Sequence, residues 1–261
     1  MSQGPEVLIP TSAAEAVELF GTGADIAVVG GGTILIPMLR LSDARPARAL
    51  MLHHAELAGI SETGGRLTIG AMTPLNHLAA LADPIAACVT HIADLEIRGQ
   101  ATLGGNLCAR NTDAPRGDLQ GAMIALGASV RSVGAGGERT EPAEEFLANR
   151  DDRLVLDVSF ELPAAGAYAY LDRAHTHEYT ALAVSAVRTS DGEIRLGANG
   201  AGPHGLRLPS AEAAAGDHAA AGIAALADVA LFDDAIASAW YREKTLPVLV
   251  RRALDQLKEA A

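Results

Sequence analysis

The chain has 261 residues, 49% of them hydrophobic and 20% charged, a balance that folds and argues against long disordered stretches. That length supports two or three compact units of roughly 100 residues each. The formal charge is −12, and the arginines and lysines are scattered or confined to short helical faces, so nucleic acid, which needs a concentrated basic surface, is a poor partner.

The opening MSQGPEVLIPTSAAEA has no basic stretch followed by an apolar one, and no apolar run approaches the ~20 residues of a membrane helix. The reading is therefore a cytoplasmic protein without a membrane span. Ser12-Ala13-Ala14-Glu15 has the form of a capping box ahead of an apolar helical stripe at Ala16, Val17, Leu19 and Phe20. Asp25 to Val29 follows as a short strand, then Gly30-Gly31-Gly32-Thr33, a second helix from ILIPMLRL, and a strand at Ala49 to Leu52. This makes a β-turn-α-β unit of about 50 residues, set as a first subdomain over 1–55.

RLTIGAM alternates as a strand, PLNHLAALA and Pro84 to Leu95 read as helices, and a polar loop, GGNLCARNTDAPRGDL, leads into an apolar helix at QGAMIALGA. SVRSV is a strand, GAGGERTEPAEEF a turn-rich surface segment, and RLVLDVSFEL a strand closed by Pro163. These form a second subdomain over 56–165. From 167 to 261, three strand-like runs (AYAYLDRA, TALAVSAVR, EIRLGAN) precede an alanine-rich tail read as three helices, the last being LPVLVRRALDQLKEA. The class is α+β, with antiparallel hairpins rather than repeated βαβ winding.

Gly30-Gly31-Gly32-Thr33 lies between a strand and a helix, where exposed N–H groups favour an anion such as a pyrophosphate. A plain tight turn is an even alternative. A Rossmann fingerprint is excluded, because the third position after Gly32 is Leu35 and the next strand, LMLHH, ends without an acid; there is also no G-K-[ST] P-loop. Thr102-Leu103-Gly104-Gly105-Asn106 offers a hydroxyl, two unobstructed glycine N–H groups and an amide. Asp118 either accepts hydrogen bonds from a ribose or simply caps the following helix.

His53-His54 and His175-Thr176-His177 lack partners at ligand spacing and read as surface or capping residues, so no metal site is assigned. Cys88 and Cys108 form no CxxC pair and exclude a disulfide framework or a Cys₄ cluster. Cys108 sits in a polar loop without an adjacent histidine base, which favours packing over catalysis.

The order VVGGGT(I)L, RLTIGAMT, HIADLEIRGQATLGGN, DL(Q)GAMIALGASV and LVLDVSFELP resembles the FAD-binding medium subunit of the xanthine dehydrogenase and carbon monoxide dehydrogenase family. The third from Ala167 to WYREKTLPVLVRRAL is similar to that family's C-terminal flavoprotein domain. The resemblance implies a two-subdomain FAD-binding domain of the vanillyl-alcohol-oxidase type, followed by a three-stranded antiparallel sheet with a helical bundle. It implies that Val29, Gly30, Gly31, Gly32, Thr33, Ile34 and Leu35 wrap the FAD pyrophosphate, with Thr102, Leu103, Gly104, Gly105 and Asn106 on its other side. Asp118 matches the family's acid after the second glycine motif and Ile92 the position packed on the adenine. Ile97 falls near the flavin ring, and Tyr179 matches an aromatic that covers one face of it.

Three departures accompany the match. Ile34 stands where a polar residue is common, about three extra residues precede Asp118, and Leu171-Asp172-Arg173 replaces a neighbourhood that often holds a lysine. The implied function is an electron-transfer flavin subunit with no catalytic side chain of its own. A large molybdopterin subunit and a small [2Fe–2S] subunit would complete a heterotrimer, and the flavin would pass electrons to NAD⁺, oxygen or a quinone. The rival readings are a stand-alone FAD-dependent oxidase of small molecules and a redox-inactive nucleotide-binding module.

Overall fold

The computed structural model describes residues 4–41, 43, 46–110, 117–150, 152–172 and 180–260. Its first layer is a parallel three-stranded sheet. Strand β1 (Glu6–Leu8) leads to helix α1 (Ala13–Phe20), β2 (Ile26–Val29), α2 (Leu35–Leu41) and β3 (Arg48–Met51). The Ser12 hydroxyl accepts the Glu15 N–H at 3.2 Å, and the Glu15 carboxylate accepts both the N–H and the hydroxyl of Thr11. Ala16 and Phe20 bury the apolar face, and Gly21, at φ 60°, ends the helix.

The strand order is β1-β3-β2, and both pairings are parallel. The preference for antiparallel hairpins therefore fails in this unit, because α1 and α2 act as crossovers that return each strand in the same direction. With only three residues, β1 carries too little alternation to be read from sequence.

The second sheet is antiparallel throughout. Strands β4 (Ile60–Thr63) and β5 (Arg66–Gly70) are followed by five short helices: α3 (Leu75–Leu78), α4 (Ile85–Thr90), α5 (Leu95–Gln100), α6 (Leu103–Cys108) and α7 (Leu119–Ala125). Then come β6 (Ser129–Gly134), β7 (Gly137–Pro142), α8 (Ala143–Ala148) and β8 (Arg153–Glu161), in the order β4-β5-β8-β6-β7. Two expectations need correction. The run GERTEP is a hairpin strand rather than a surface turn, and the helix expected from Pro84 to Leu95 stops at Thr90. Between it and α5, Ala93 turns the backbone to φ 46°.

The third sheet comprises β9 (Ala165–Asp172), β10 (Thr180–Arg188), β11 (Ile194–Asn199) and a two-residue β12 (Leu206–Arg207), antiparallel in the order β12-β11-β10-β9. The three expected strands are present, and β12 adds a short fourth. Helices α9 (Pro209–Ala213), α10 (His218–Ala224) and α11 (Ala239–Glu259) follow.

The final helix starts seven positions before Leu246 and runs through Pro247. Pro247 removes one N–H donor. The stripe Leu246, Leu249, Val250, Ala253, Leu254 and Leu257 holds the helix against the sheet. Strand β10 is buried along eight of its nine residues. Its Ala183 and Val187 face the core shared with Cys88 and Met123, while Leu182, Val184 and Ala186 face α11. Covering on both faces explains why TALAVSAV lacks polar alternation.

Helix α7 lies on the inner face of this third sheet at backbone distance. A Cβ on Gly197 of β11 would fall 2.0 Å from the Gly121 carbonyl oxygen. Helix α7 is therefore pressed directly against the C-terminal sheet.

Candidate functional site

The two glycine motifs touch. A Cβ on Gly31 would lie 1.8 Å from the Gln100 carbonyl oxygen, and one on Gly30 would lie 2.9 Å from the Thr102 hydroxyl. Gly32 carries φ 72°, which a side chain rarely adopts. Glycine is thus required at these positions for close approach of the β2–α2 turn to the α5–α6 connection.

That connection is itself anchored to the end of β5. Gly104 N–H donates to the Ala71 carbonyl at 2.8 Å, Leu103 N–H to Thr73 at 3.0 Å, and Leu75 N–H to Ala101 at 2.9 Å. The remaining early donors of α6 are also internal: Gly105 N–H goes to the Thr102 hydroxyl at 3.2 Å and Asn106 N–H to the Thr102 carbonyl at 2.9 Å. This corrects the sequence reading. ATLGGN is a capped helix start rather than a loop, and its glycine N–H groups are engaged within the protein.

In the first motif the situation is reversed. The N–H groups of Gly31, Gly32 and Thr33 donate to no acceptor among the described residues. All three residues line an open cleft with a cavity volume of about 280 Å³.

Of the expected site residues, Gly30, Gly31, Gly32, Thr33, Ile34 and Leu35 line this cleft from the β2–α2 side. Ile92, Ile97, Thr102, Gly105, Asn106 and Asp118 line it from the other. Ile92 and Ile97, which the resemblance assigned to opposite ends of FAD, thus share one cavity. Val29 and Leu103 do not line it. They are buried behind the walls, with 4% and 0% of their surface exposed. Gly104 lines a neighbouring cleft instead. Tyr179 lies outside the described residues, as do Arg173, His175 and His177.

Asp118 is 7% exposed and precedes the first turn of α7, yet its side chain makes no capping hydrogen bond to that helix. The Leu119 N–H is accepted instead by the Asn106 side-chain oxygen at 2.9 Å. Asn106 therefore performs the capping role that the blander reading gave to Asp118, and Asp118 supplies the cleft's carboxylate. A carboxylate in a largely apolar cleft is an acceptor suited to ligand hydroxyls.

The second cleft, about 200 Å³, meets the first at Val28, Gly30, Thr102, Gly105 and Cys108. Arg110, Arg150 and Arg153 line it. Carbonyls fix two of these guanidinium groups: Arg150 donates to Leu147 at 2.8 Å, and Arg153 donates to Ser132 and Gly137, each at 3.0 Å. Sequence reasoning missed these arginines. They come from the ends of α6, α8 and β8, and no local pattern connects them.

Burial pushes the Cys108 thiol up to about 11, with Arg150 pulling the other way. The raised value disfavours the thiolate, so alkylation of Cys108 is expected to be slower at pH 8 than that of a free thiol by about two orders of magnitude and to climb with pH. Iodoacetamide labelling followed by peptide mass analysis between pH 7 and 10 measures this, and labelling at the free-thiol rate would contradict it.

Among the described residues, no group of three or more histidine, cysteine or acidic side chains is arranged to hold a metal ion. No helix there is long and apolar enough to cross a membrane.

Comparison with known proteins identifies the family. The sequence model described as the FAD binding domain in molybdopterin dehydrogenase matches residues 3–163. The carbon monoxide dehydrogenase medium chain of Hydrogenophaga pseudoflava is 35% identical over 148 residues, covering 53% of this chain and 50% of that one. The caffeine dehydrogenase subunit beta of Pseudomonas sp. (strain CBB1) is 28% identical over 172 residues, covering 59% of this chain and 57% of that one. The chain thus spans little more than half the length of these two relatives. The nicotine 6-hydroxylase medium subunit of Paenarthrobacter nicotinovorans is 26% identical, with 94% of each chain covered. Among solved structures, a chain of the reconstituted CO dehydrogenase from Oligotropha carboxidovorans superposes with a TM-score of 0.87 at 29% identity, covering 100% of both chains.

Proposed function

This chain belongs to the family of FAD-binding domains of molybdopterin dehydrogenases, and on that premise we propose that it is the electron-transfer flavin subunit of a molybdenum hydroxylase-type oxidoreductase. Its partners in this proposal are a large molybdopterin subunit and a small [2Fe–2S] subunit. FAD held by this chain would accept electrons from the partner's iron–sulfur clusters and pass them to an external acceptor such as NAD⁺, oxygen or a quinone.

The observation that carries the proposal is the set of N–H groups on Gly31, Gly32 and Thr33 that meet no acceptor among the described residues. They line a cleft into which Thr102 and the non-capping Asp118 also enter. A Cβ on Gly31 would close the contact behind that cradle, so the residues present fit a diphosphate held by backbone. FAD supplies the redox chemistry when bound.

The chain's own contribution is binding and orientation. The β2–α2 turn donates to the diphosphate, whereas the second glycine motif supports that turn from behind. Thr33 adds its hydroxyl, and Asp118 accepts from a hydroxyl of the ligand. Leu35, Met38, Leu75, Ile92 and Ile97 give the cleft apolar walls that exclude water. The two clefts meet at Gly30, Thr102 and Gly105, so a diphosphate at that wall leaves one cleft on each side for the rest of an elongated molecule.

The purified full chain is expected to carry close to one FAD, to oxidise no organic substrate by itself, and to copurify with larger and smaller subunits from its native source. Turnover of an organic substrate by the isolated chain, or failure to take up FAD on reconstitution, would overturn the proposal.

A further inference from the structure

We infer that Asn199, at the end of β11, is a positioning residue for the cofactor site: with Gln120 it lets the C-terminal sheet set the placement of Asp118 and hence the affinity for FAD. The inference rests on the reading that Asp118 accepts a hydrogen bond from a hydroxyl of FAD.

Asn199 is 5% exposed, and its amide is committed on both sides. Its Nδ2 donates to the Gly117 carbonyl at 2.8 Å and to the Asp118 carbonyl, while its Oδ1 accepts the Gly121 N–H at 3.0 Å. These bonds hold two consecutive carbonyls and fix the peptide plane between Gly117 and Asp118. The Cys88 thiol also approaches the Asp118 carbonyl, at 3.4 Å.

Gln120 repeats the arrangement from the α7 side. It is fully buried, its Nε2 donates to Leu107 at 2.9 Å and Ala109 at 2.7 Å, and its Oε1 accepts the Gly205 N–H at 2.8 Å. The backbone at Ala109 and that at Gly117 are therefore both tied to the region following β11.

Asp118 has helical backbone angles, φ −63° and ψ −26°, but its side chain does not bond to α7. Nothing in the helix's own capping directs that carboxylate toward the cleft. The anchored peptide contributes to that direction, because rotation of the Gly117–Asp118 plane would swing the Asp118 side chain with it.

A purely adhesive role for Asn199 is the competing account, and it makes a different forecast. The packing of α7 on this sheet is already secured by the approach of Gly121 to Gly197 and by the apolar cluster it shares with Ala183 and Val187 of β10. If Asn199 only added adhesion, its loss would lower stability without acting through Asp118.

The experiment is a double-mutant cycle on the full chain. FAD is titrated into apoprotein of the wild type, Asn199→Ala, Asp118→Ala and the double variant, and binding is followed by flavin fluorescence. Asn199→Ala is expected to raise the FAD Kd about tenfold and Asp118→Ala by at least that much. The double variant should bind no worse than Asp118→Ala, because both changes remove the same contact. Should Asn199→Ala fail to fold, Asn199→Ser, which keeps a shorter polar group, is expected to move Kd in the same direction and to show the same lack of additivity. Wild-type affinity in the Asn199 variant beside weakened binding in Asp118→Ala, or fully additive losses, overturns the inference. Unchanged affinity in Asp118→Ala overturns the underlying reading of Asp118 and the inference with it.

Discussion

Gly31→Ala is expected to abolish FAD retention through purification, raising the Kd by roughly a hundredfold or more. The added Cβ would sit 1.8 Å from the Gln100 carbonyl oxygen, a separation that two non-bonded atoms cannot hold. The turn after β2 must retreat from the α5–α6 connection by more than 1 Å, since real contacts begin near 3.0 Å. Overpacking of this kind costs about 1–3 kcal/mol even where side chains can move, and here the obstacle is backbone. Retreat would open the wall shared by the two clefts and misdirect the N–H groups of Gly31, Gly32 and Thr33.

Two neighbouring glycines provide the contrast. A Cβ on Gly99 meets nothing within 4 Å, and one on Gly105 meets only the Thr102 hydroxyl, at 3.0 Å. Gly99→Ala should bind FAD normally, and Gly105→Ala should weaken binding by less than tenfold. The ratio of flavin to protein absorbance in each purified variant, with far-ultraviolet circular dichroism as the check on folding, measures the series. Full FAD occupancy in Gly31→Ala would remove the first glycine motif from the site.

Arg242→Ala is expected to destabilise the protein by about 3–5 kcal/mol, the range for breaking a buried charge pair by removing one member. Arg242 has no exposed surface and stands over the Phe232 ring at 4.5 Å. Its guanidinium donates to both Asp234 oxygens, at 3.0 and 2.9 Å, and to the carbonyls of Phe232 and Ala237, each at 2.6 Å. One side chain thus holds the irregular segment before α11 against that helix. Alanine would leave the Asp234 carboxylate without its cation and two carbonyls without their donor. Urea unfolding of the two proteins reads the difference, and a loss under 1 kcal/mol would contradict the clasp.

The legibility of these two features differs for a physical reason. The glycine triplet announces itself because only glycine permits backbone contact and φ 72° in succession. Arg242 does not, because WYREK has the appearance of a solvated helix face, and burial of its arginine depends on the ten residues that fold back over it. The same holds for Arg150 and Arg153, whose place in the second cleft depends on where α8 ends and β8 begins.

The second glycine motif shows where a local reading misleads. By sequence ATLGGN reads as a loop with two unobstructed glycine N–H groups. The segment is nonetheless helical, since Thr102 caps it and Gly104 must approach Ala71 closely. Its N–H groups are consumed in that packing, and its contribution to the site becomes support for the first motif. The capping box at Ser12 and the strands RLTIGAM and RLVLDVSFEL were legible, because capping and period-2 alternation are set by near neighbours.

The sequence by itself determined the α+β class, the two glycine motifs and the resemblance that carries FAD, since each is written in local residue types and their order. Tertiary structure alone decided which N–H groups remain available to a ligand, that Asn106 rather than Asp118 caps α7, and that Asn199 reaches across from the third sheet to hold the peptide of Asp118. Those outcomes depend on which acceptor lies within hydrogen-bond reach, and that is settled only when segments from 13 to about 80 residues apart are packed together.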